Sequence, residues 1–287
     1  MYTCKYYLNM KIEYLNVPLD LRNVRPSNFI NKDLSRIRDI NIWIGNKKAR
    51  LGDIFDIDKE NSCNDLNEIE INISGKATNK IYYLGFKMRG GAIIVHGDIG
   101  PFLGYKMNNG VIKVYGSARS WIGAKMKGGY IEVFGDSGDF IGSKLPGEKS
   151  GKGMKGGYII IHGNAGANVG NGMSDGTIII DGDSGNLTGV NMVGGSILVR
   201  GGSGRFTGAR MLGGKIVING SIDGILPSFY IDEIVDKVKF KKEVFKNRYF
   251  LFTGDVLVNG VGRLYISYKN NVELLKQYEP LIKEVTL

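Results

Sequence analysis

A 19-residue unit repeats seven times through the middle of the chain, so the fold has to give each copy closely similar surroundings. Each copy reads Gly-x-x-Met-x-x-Gly, then five residues and another glycine. The methionines stand at Met88, Met107, Met126, Met154, Met173, Met192 and Met211, seven of the nine in the chain. The next glycines keep the same phase at Gly91, Gly110, Gly129, Gly157, Gly176, Gly195 and Gly214, then at Gly97, Gly116, Gly135, Gly163, Gly182, Gly201 and Gly220. One step, from Met126 to Met154, is 28 residues, a period plus nine, which marks Ser143 to Gly151 as an insert.

Between the two glycine columns lies a short apolar alternation centred on Ile93, Ile112, Ile131, Ile159, Ile178, Ile197 and Ile216, with Val or Ile two residues later. A period of two places these side chains on one face of a strand. One unit alone cannot bury that face, whereas stacked units join the Ile, Val and Met columns into an interior ladder. The expected fold is all-β: a right-handed parallel β-helix of about seven rungs, the hand following the general rule for parallel crossovers. At a strand spacing of roughly 4.8 Å the array would be about 34 Å long. The glycines are expected at corners, where a residue without Cβ takes positive φ freely. Asp98, Asp136, Asn164 and Asp183 follow a corner glycine, as turn chemistry would have them.

Three regions are expected: an N-terminal cap over 1–70, the repeats over 71–230 and a C-terminal cap over 231–287. In the first, Lys11 to Asn16 and Ile40 to Ile44 read as strands, with a polar, partly helical stretch after Pro26 and a turn at Gly45-Asn46. Such a small α+β cap would cover a sheet edge that is otherwise prone to aggregate. Ile69 to Gly75 reads as an irregular early rung. After Leu226-Pro-Ser-Phe229, Tyr249 to Phe252 and Leu264 to Ser267 read as strands, and Asn271 to Tyr278 as a short capped helix that Pro280 ends.

Catalytic groupings are sparse. His96 and His162 are the only histidines; they share a repeat position three rungs apart, about 14 Å, too far for one metal ion. Asp98, Asp136 and Asp183 share a column at roughly 9.6 Å spacing, near the upper limit for an inverting carboxylate pair, and turn formation explains them more simply. Gly182-Asp-Ser-Gly185 and Gly201-Gly-Ser-Gly204 lack the following helix that a dinucleotide loop requires. Cys4 and Cys63 offer neither a disulfide framework nor four cluster ligands. Of the net charge of +10, the repeats carry +8. That surface suits an acidic partner, and without basic runs interleaved with aromatics it is not expected to bind nucleic acid. No secretion signal or membrane span is expected, and the reading is cytoplasmic.

The repeats resemble the glycine-rich β-helix shared by the C-terminal domain of glutamate synthase large subunits and by the C subunit of formylmethanofuran dehydrogenase. The flanks are similar to the dehydrogenase subunit along essentially the whole chain: Pro26-Ser-Asn-Phe29, Gly45-Asn46 with Leu51-Gly-Asp-Ile-Phe55, Leu226-Pro-Ser-Phe229, Phe252-Thr-Gly-Asp255 and Gly260-Val-Gly-Arg-Leu-Tyr265. One departure is visible, because the fourth glycine of the unit is replaced by Arg119 and Asp223, which puts the corner geometry there in question.

The resemblance implies an archaeal oxidoreductase complex of methanogenesis that reduces CO2, with electrons from ferredoxin-type carriers, onto methanofuran. A tungsten or molybdenum pterin, iron-sulfur clusters and a dinuclear metal site would sit on other subunits: a pterin-bearing catalytic subunit, an amidohydrolase-like subunit and ferredoxin-type subunits. This chain would bind no cofactor, supply no catalytic residue and be inactive alone, serving as a scaffold. Expected interface residues are Lys144, Lys149 and Lys152 of the insert, with Tyr105 and Arg119; Trp121 could be interface or core. The alternative is a free-standing glutamate synthase β-helix subunit. A polysaccharide-active enzyme or an ice-binding or adhesin rod would want an export signal or a flat Thr array, and neither is found.

Overall fold

The computed structural model describes residues 4–61 and 64–284, without the side chains of Lys283 and Glu284. It is mostly β, parallel-rich, and divides into two compact units. The first runs to Gly138 and includes Gly157–His162; the second comprises Asp139–Gly156 and Gly163 onward.

The first unit contains β1 (Cys4–Met10), β2 (Leu19–Asp20), α1 (Leu34–Arg38), β3 (Asn41–Ile44), β4 (Lys47–Arg50), α2 (Leu51–Ile54), β5 (Phe55–Glu60), β6 (Ile69–Ser74), β7 (Ile81–Tyr82), β8 (Arg89–His96), β9 (Asn109–Val114), β10 (Tyr130–Val133) and most of β11 (Lys155–Ile161). Its main sheet runs β5-β1-β6-β8-β9-β10-β11, parallel throughout except at β1–β5. In register, Ile71, Ile93, Ile112, Ile131 and Ile159 stand in one column, each fully buried. A small sheet runs β4-β3-β2-β7, its strands falling between those of the main sheet in chain order. The N-terminal strand is Cys4–Met10 rather than Lys11–Asn16: Cys4, Tyr6 and Leu8 find β5 and β6 as partners, whereas Ile12 and Tyr14 have no strand to pair with. Ile69–Ser74 is a regular strand with a buried–half-buried alternation, not an irregular one.

The second unit contains β12 (Asp175–Ile180), β13 (Ser196–Val199), β14 (Lys215–Ile218), β15 (Tyr230–Phe240), β16 (Glu243–Gly254), β17 (Gly262–Ser267), α3 (Val272–Lys276) and α4 (Glu279–Glu284). Strands β12-β13-β14-β17 are parallel, and Ile178, Ile197, Ile216 and Leu264 share a column. β17, β16 and β15 then pair antiparallel. The β15–β16 hairpin covers outward-facing positions of the repeats, where Val238, Phe240, Tyr249 and Leu251 pack on Leu198 and Val217. Asn271 stands at the N-cap of α3 without a side-chain capping bond, because its side chain accepts from Ile222 N–H and donates to the carbonyls of Gly220 and Ser267. Pro280 sits in the first turn of α4 rather than ending a helix, because its missing N–H is one the first turn does not use.

The motif has a packing cause. All seven methionines are fully buried. A Cβ on Gly110 would meet Met88 Cε at 2.7 Å, and one on Gly129 would meet Met107 Cε at 2.8 Å. The methionine of one repeat therefore fills the space beneath the glycine of the next, while Gly110, at φ 101°, also needs the conformational freedom. The following column, Gly97 at φ 139° excepted, works otherwise. Gly220 carries no positive φ; a Cβ there would lie 2.3 Å from the Gly201 carbonyl carbon, so closeness between successive repeats excludes a side chain. At the replaced fourth glycine, Arg119 N–H and Asp223 N–H donate to Ile99 and Ser203, the same bond that Gly138 and Gly204 make, so the corner is preserved.

Candidate docking surfaces

The residues after the corner glycine do not form local turns alone. Asp98 accepts from Ser117 N–H at 2.8 Å in the first unit, and Asp183 from Gly202 N–H at 2.7 Å in the second. Their oxygens tie each repeat to the next, which commits the carboxylates to backbone groups instead of to a substrate.

In the first unit, the outward position at the strand end forms a ladder. His96, Tyr115, Phe134 and His162 stack with centroid spacings of 5.8, 4.7 and 4.9 Å. Tyr115 is 50% exposed and Phe134 42%. The two histidines of the sequence reading thus stand at either end of an aromatic column. His96 contacts Asn72 at 3.2 Å and His162 contacts Glu132 at 3.1 Å. Glu132 also pairs with Lys113 at 2.9 Å. Burial would raise the Glu132 carboxyl, but Lys113 and His162 outweigh it and hold the group below its ordinary value.

A second surface of the first unit repeats the hexapeptides Tyr83-Leu-Gly-Phe-Lys-Met88, Phe102-Leu-Gly-Tyr-Lys-Met107 and Trp121-Ile-Gly-Ala-Lys-Met126. Phe102 is stacked on both sides, with Tyr83 at 4.6 Å and Trp121 at 5.7 Å. Phe86 and Tyr105 stack at 5.7 Å. Lys87 and Lys106 place their ammonium groups over Phe86 and Tyr105 at 5.1 and 5.0 Å, and Arg22 lies over Tyr83 at 5.0 Å. Beside Phe102 and Trp121 runs a shallow groove of about 450 Å³ that Arg119 also lines. Tyr105 and Trp121 are half-buried and Arg119 is exposed. Of the insert residues in the second unit, Lys144 is half-buried along Gly172, and Lys149 and Lys152 are exposed.

The second unit carries an exposed apolar strip that the sequence reading did not single out. Val193 and Leu212 occupy one repeat position, and Val261 N–H donates to Leu212. Val261 is 70% exposed and Leu257 82%. The signal was present, since the earlier residues of that column, Arg89, Asn108, Lys127, Lys155 and Ser174, are polar.

Among the described residues no group of three or more His, Cys, Asp or Glu side chains could hold a metal ion. Cys4 is buried with its Sγ 3.6 Å from the Asn61 carbonyl, and Cys63 lies outside the described residues. No helix among the described residues is long and apolar enough to cross a membrane.

These features define a class: a glycine-rich repeat protein of parallel strands, with stacked aromatic and basic surfaces. No protein-family model matches the chain. In sequence it is similar to the C subunit of the molybdenum-containing formylmethanofuran dehydrogenase 1 of Methanothermobacter thermautotrophicus, 42% identical over 84 residues, which is 29% of this chain and 20% of the relative. It is 35% identical over 90 residues to the C subunit of the tungsten-containing formylmethanofuran dehydrogenase 2 of Methanothermobacter marburgensis, 31% of this chain and 33% of the relative. The chain thus spans a fifth to a third of the length of these relatives. In structure it is similar to one chain of the formyltransferase/hydrolase complex FhcABCD from Methylorubrum extorquens, solved with methylofuran, at a TM-score of 0.78 and 25% identity over 91% of this chain and 99% of that one. The resemblance to the C subunit of formylmethanofuran dehydrogenase is therefore upheld, and its relatives occur in both molybdenum and tungsten forms.

Proposed function

We propose that this chain is a non-catalytic scaffold subunit of a tungsten or molybdenum formylmethanofuran dehydrogenase complex, with its repeats wound as a right-handed β-helix over 71–230 and capped by 1–70 and 231–287. The observation that carries the reading is the structural likeness over 99% of one chain of a multi-subunit complex, joined to sequence relatives that are themselves subunits of the dehydrogenase. The reading is strengthened by the chemistry of the described side chains. Their scattered carboxylates, two histidines at opposite ends of a stacked column and one buried thiol do not fit a molybdenum or tungsten pterin, so no redox step is assigned to this chain. Its work would be to hold the pterin-bearing, amidohydrolase-like and ferredoxin-type subunits in a fixed arrangement while CO2 is reduced and joined to methanofuran.

A second reading follows from the structural neighbour, which belongs to a formyltransferase/hydrolase complex and not, by name, to a dehydrogenase. Anaerobic, low-salt affinity purification of the chain from its native host, with mass spectrometry of partners and metal counting, separates the two. Recovery of a pterin-bearing subunit with tungsten or molybdenum and iron is the expected result. Recovery of formyltransferase and amidohydrolase-like chains without a pterin subunit would move the assignment to the second reading. Recovery of glutaminase and flavoprotein chains would make it a glutamate synthase component.

A further inference from the structure

We infer that the aromatic–lysine surface spanning Tyr83–Met88, Phe102–Met107 and Trp121–Met126 docks an acidic face of a partner protein subunit, an inference that rests on the scaffold reading above. Three observations carry it.

The first is backbone conformation. Tyr83, Phe102 and Trp121 have φ of 59°, 63° and 70°, and Lys87, Lys106 and Lys125 have φ of 53°, 56° and 57°. Bulky side chains in this left-handed region are uncommon, whereas Gly or Asn adopts it with less strain. In the second unit the two positions hold Phe140 and Lys144, Asn168 and Gly172, Leu187 and Asn191, and Phe206 and Arg210, all left-handed except Lys144, so the conformation belongs to the repeat and the first unit is set apart by filling it with rings and lysines. Cross-repeat stacking offsets some of the cost for the rings. It does nothing for the lysines, of which Lys87 and Lys106 lie over the Phe86 and Tyr105 rings.

The second is charge. The three hexapeptides contain no acidic residue, and Arg25, Arg89 and Arg119 surround or adjoin them; Arg22, over Tyr83, is paired with Asp20. Among the described residues Lys87 and Lys106 meet no carboxylate; their ammonium groups are placed over rings. An anionic partner completes that arrangement.

The third decides between anionic partners. A single-stranded nucleic acid uses free ring faces on which bases stack. Here both faces of Phe102 are already covered by Tyr83 and Trp121. What the ladder offers outward is ring edges, which carry the positive part of the aromatic quadrupole, next to ammonium groups. Carboxylates on a protein surface match both.

The test uses the full chain and the other subunits recovered with it. Binding of those subunits to immobilised wild type is compared with a triple variant, Lys87→Glu, Lys106→Glu and Lys125→Glu, and with a control triple variant on the β15–β16 hairpin, Lys239→Glu, Lys241→Glu and Lys242→Glu. We expect the dissociation constant of the first variant to rise roughly tenfold or more, with the control unchanged and wild-type binding weakening as salt rises. Circular dichroism establishes that both variants are folded; a Lys→Arg triple variant should restore binding. Carboxyl–amine zero-length cross-linking of the intact complex should join Lys87, Lys106 or Lys125 to partner Asp or Glu residues. Unchanged affinity of the folded triple-Glu variant, together with no cross-link from these lysines, overturns the inference while leaving the scaffold reading intact. Tighter binding of a 20-mer of polyuridine than of the subunits also overturns it. If wild type recovers no complex subunit at all, the scaffold reading itself fails first.

Discussion

At the residue scale, the repeat works because methionine and glycine of successive repeats share one volume. A methyl group at position 110 would strike Met88 Cε and the Gly91 carbonyl oxygen, 2.9 Å away, at a backbone φ of 101°. Gly110→Ala is expected to cost about 2–3 kcal/mol, measured by urea denaturation. Met88→Ala leaves a cavity and is expected to cost about 2–5 kcal/mol. The double variant should cost less than the sum, because removing Met88 relieves one of the clashes that the alanine creates. Additive losses would show that the two do not share space. Glu132 gives a pH-dependent outcome. Its folded-state affinity for protons is depressed, so its contribution to stability is complete above the ordinary carboxylate range and is lost as pH falls through the folded value. Melting temperatures between pH 7 and pH 3 should fall less steeply for Glu132→Gln than for wild type, and parallel curves would remove Glu132 from the acid response. The sequence made the glycine and methionine columns readable. It did not reveal which glycines serve φ and which serve closeness, because Gly110 and Gly220 differ only in what the neighbouring repeat places against them.

At the element scale, the parallel columns follow from local alternation, but the β15–β16 hairpin does not. Leu198 and Val217 point outward at the position where Lys113 and Glu132 stand in earlier repeats, so an apolar cover is needed there. Phe240 and Tyr249 supply it, and Tyr249 also donates to Asn219 at 2.6 Å. Phe240→Ala is expected to cost about 3–5 kcal/mol and to raise aggregation, read by denaturation and light scattering. Tyr249→Phe, which keeps the packing, should cost only about 1 kcal/mol. Equal losses for the two would mean that the hydrogen bond, not the covered face, holds the hairpin. Strand β15 escaped the sequence reading because its eleven residues mix Asp, Glu and Lys with apolar side chains, and two register shifts break the period of two.

At the scale of the whole molecule, the chain's surface carries more of its identity than any single side chain. The isolated polypeptide is expected to give no CO2 reduction and no formyl release from a formylated furan amine, assayed anaerobically, with activity present only in the assembled complex. Turnover by the pure chain would defeat the scaffold reading. The sequence by itself determined the 19-residue period, the buried Ile and Met columns and the likeness to a subunit family, because a fixed repeat forces each copy to meet its neighbour in the same way. Tertiary structure alone decided the rest. It placed His96 and His162 at the ends of one aromatic ladder, turned Asp98 and Asp183 into ties between repeats, and set Lys87 and Lys106 over the Phe86 and Tyr105 rings. Those outcomes depend on which residues lie one repeat apart and how their side chains divide the space between them, and a reading of local alternation does not contain that information.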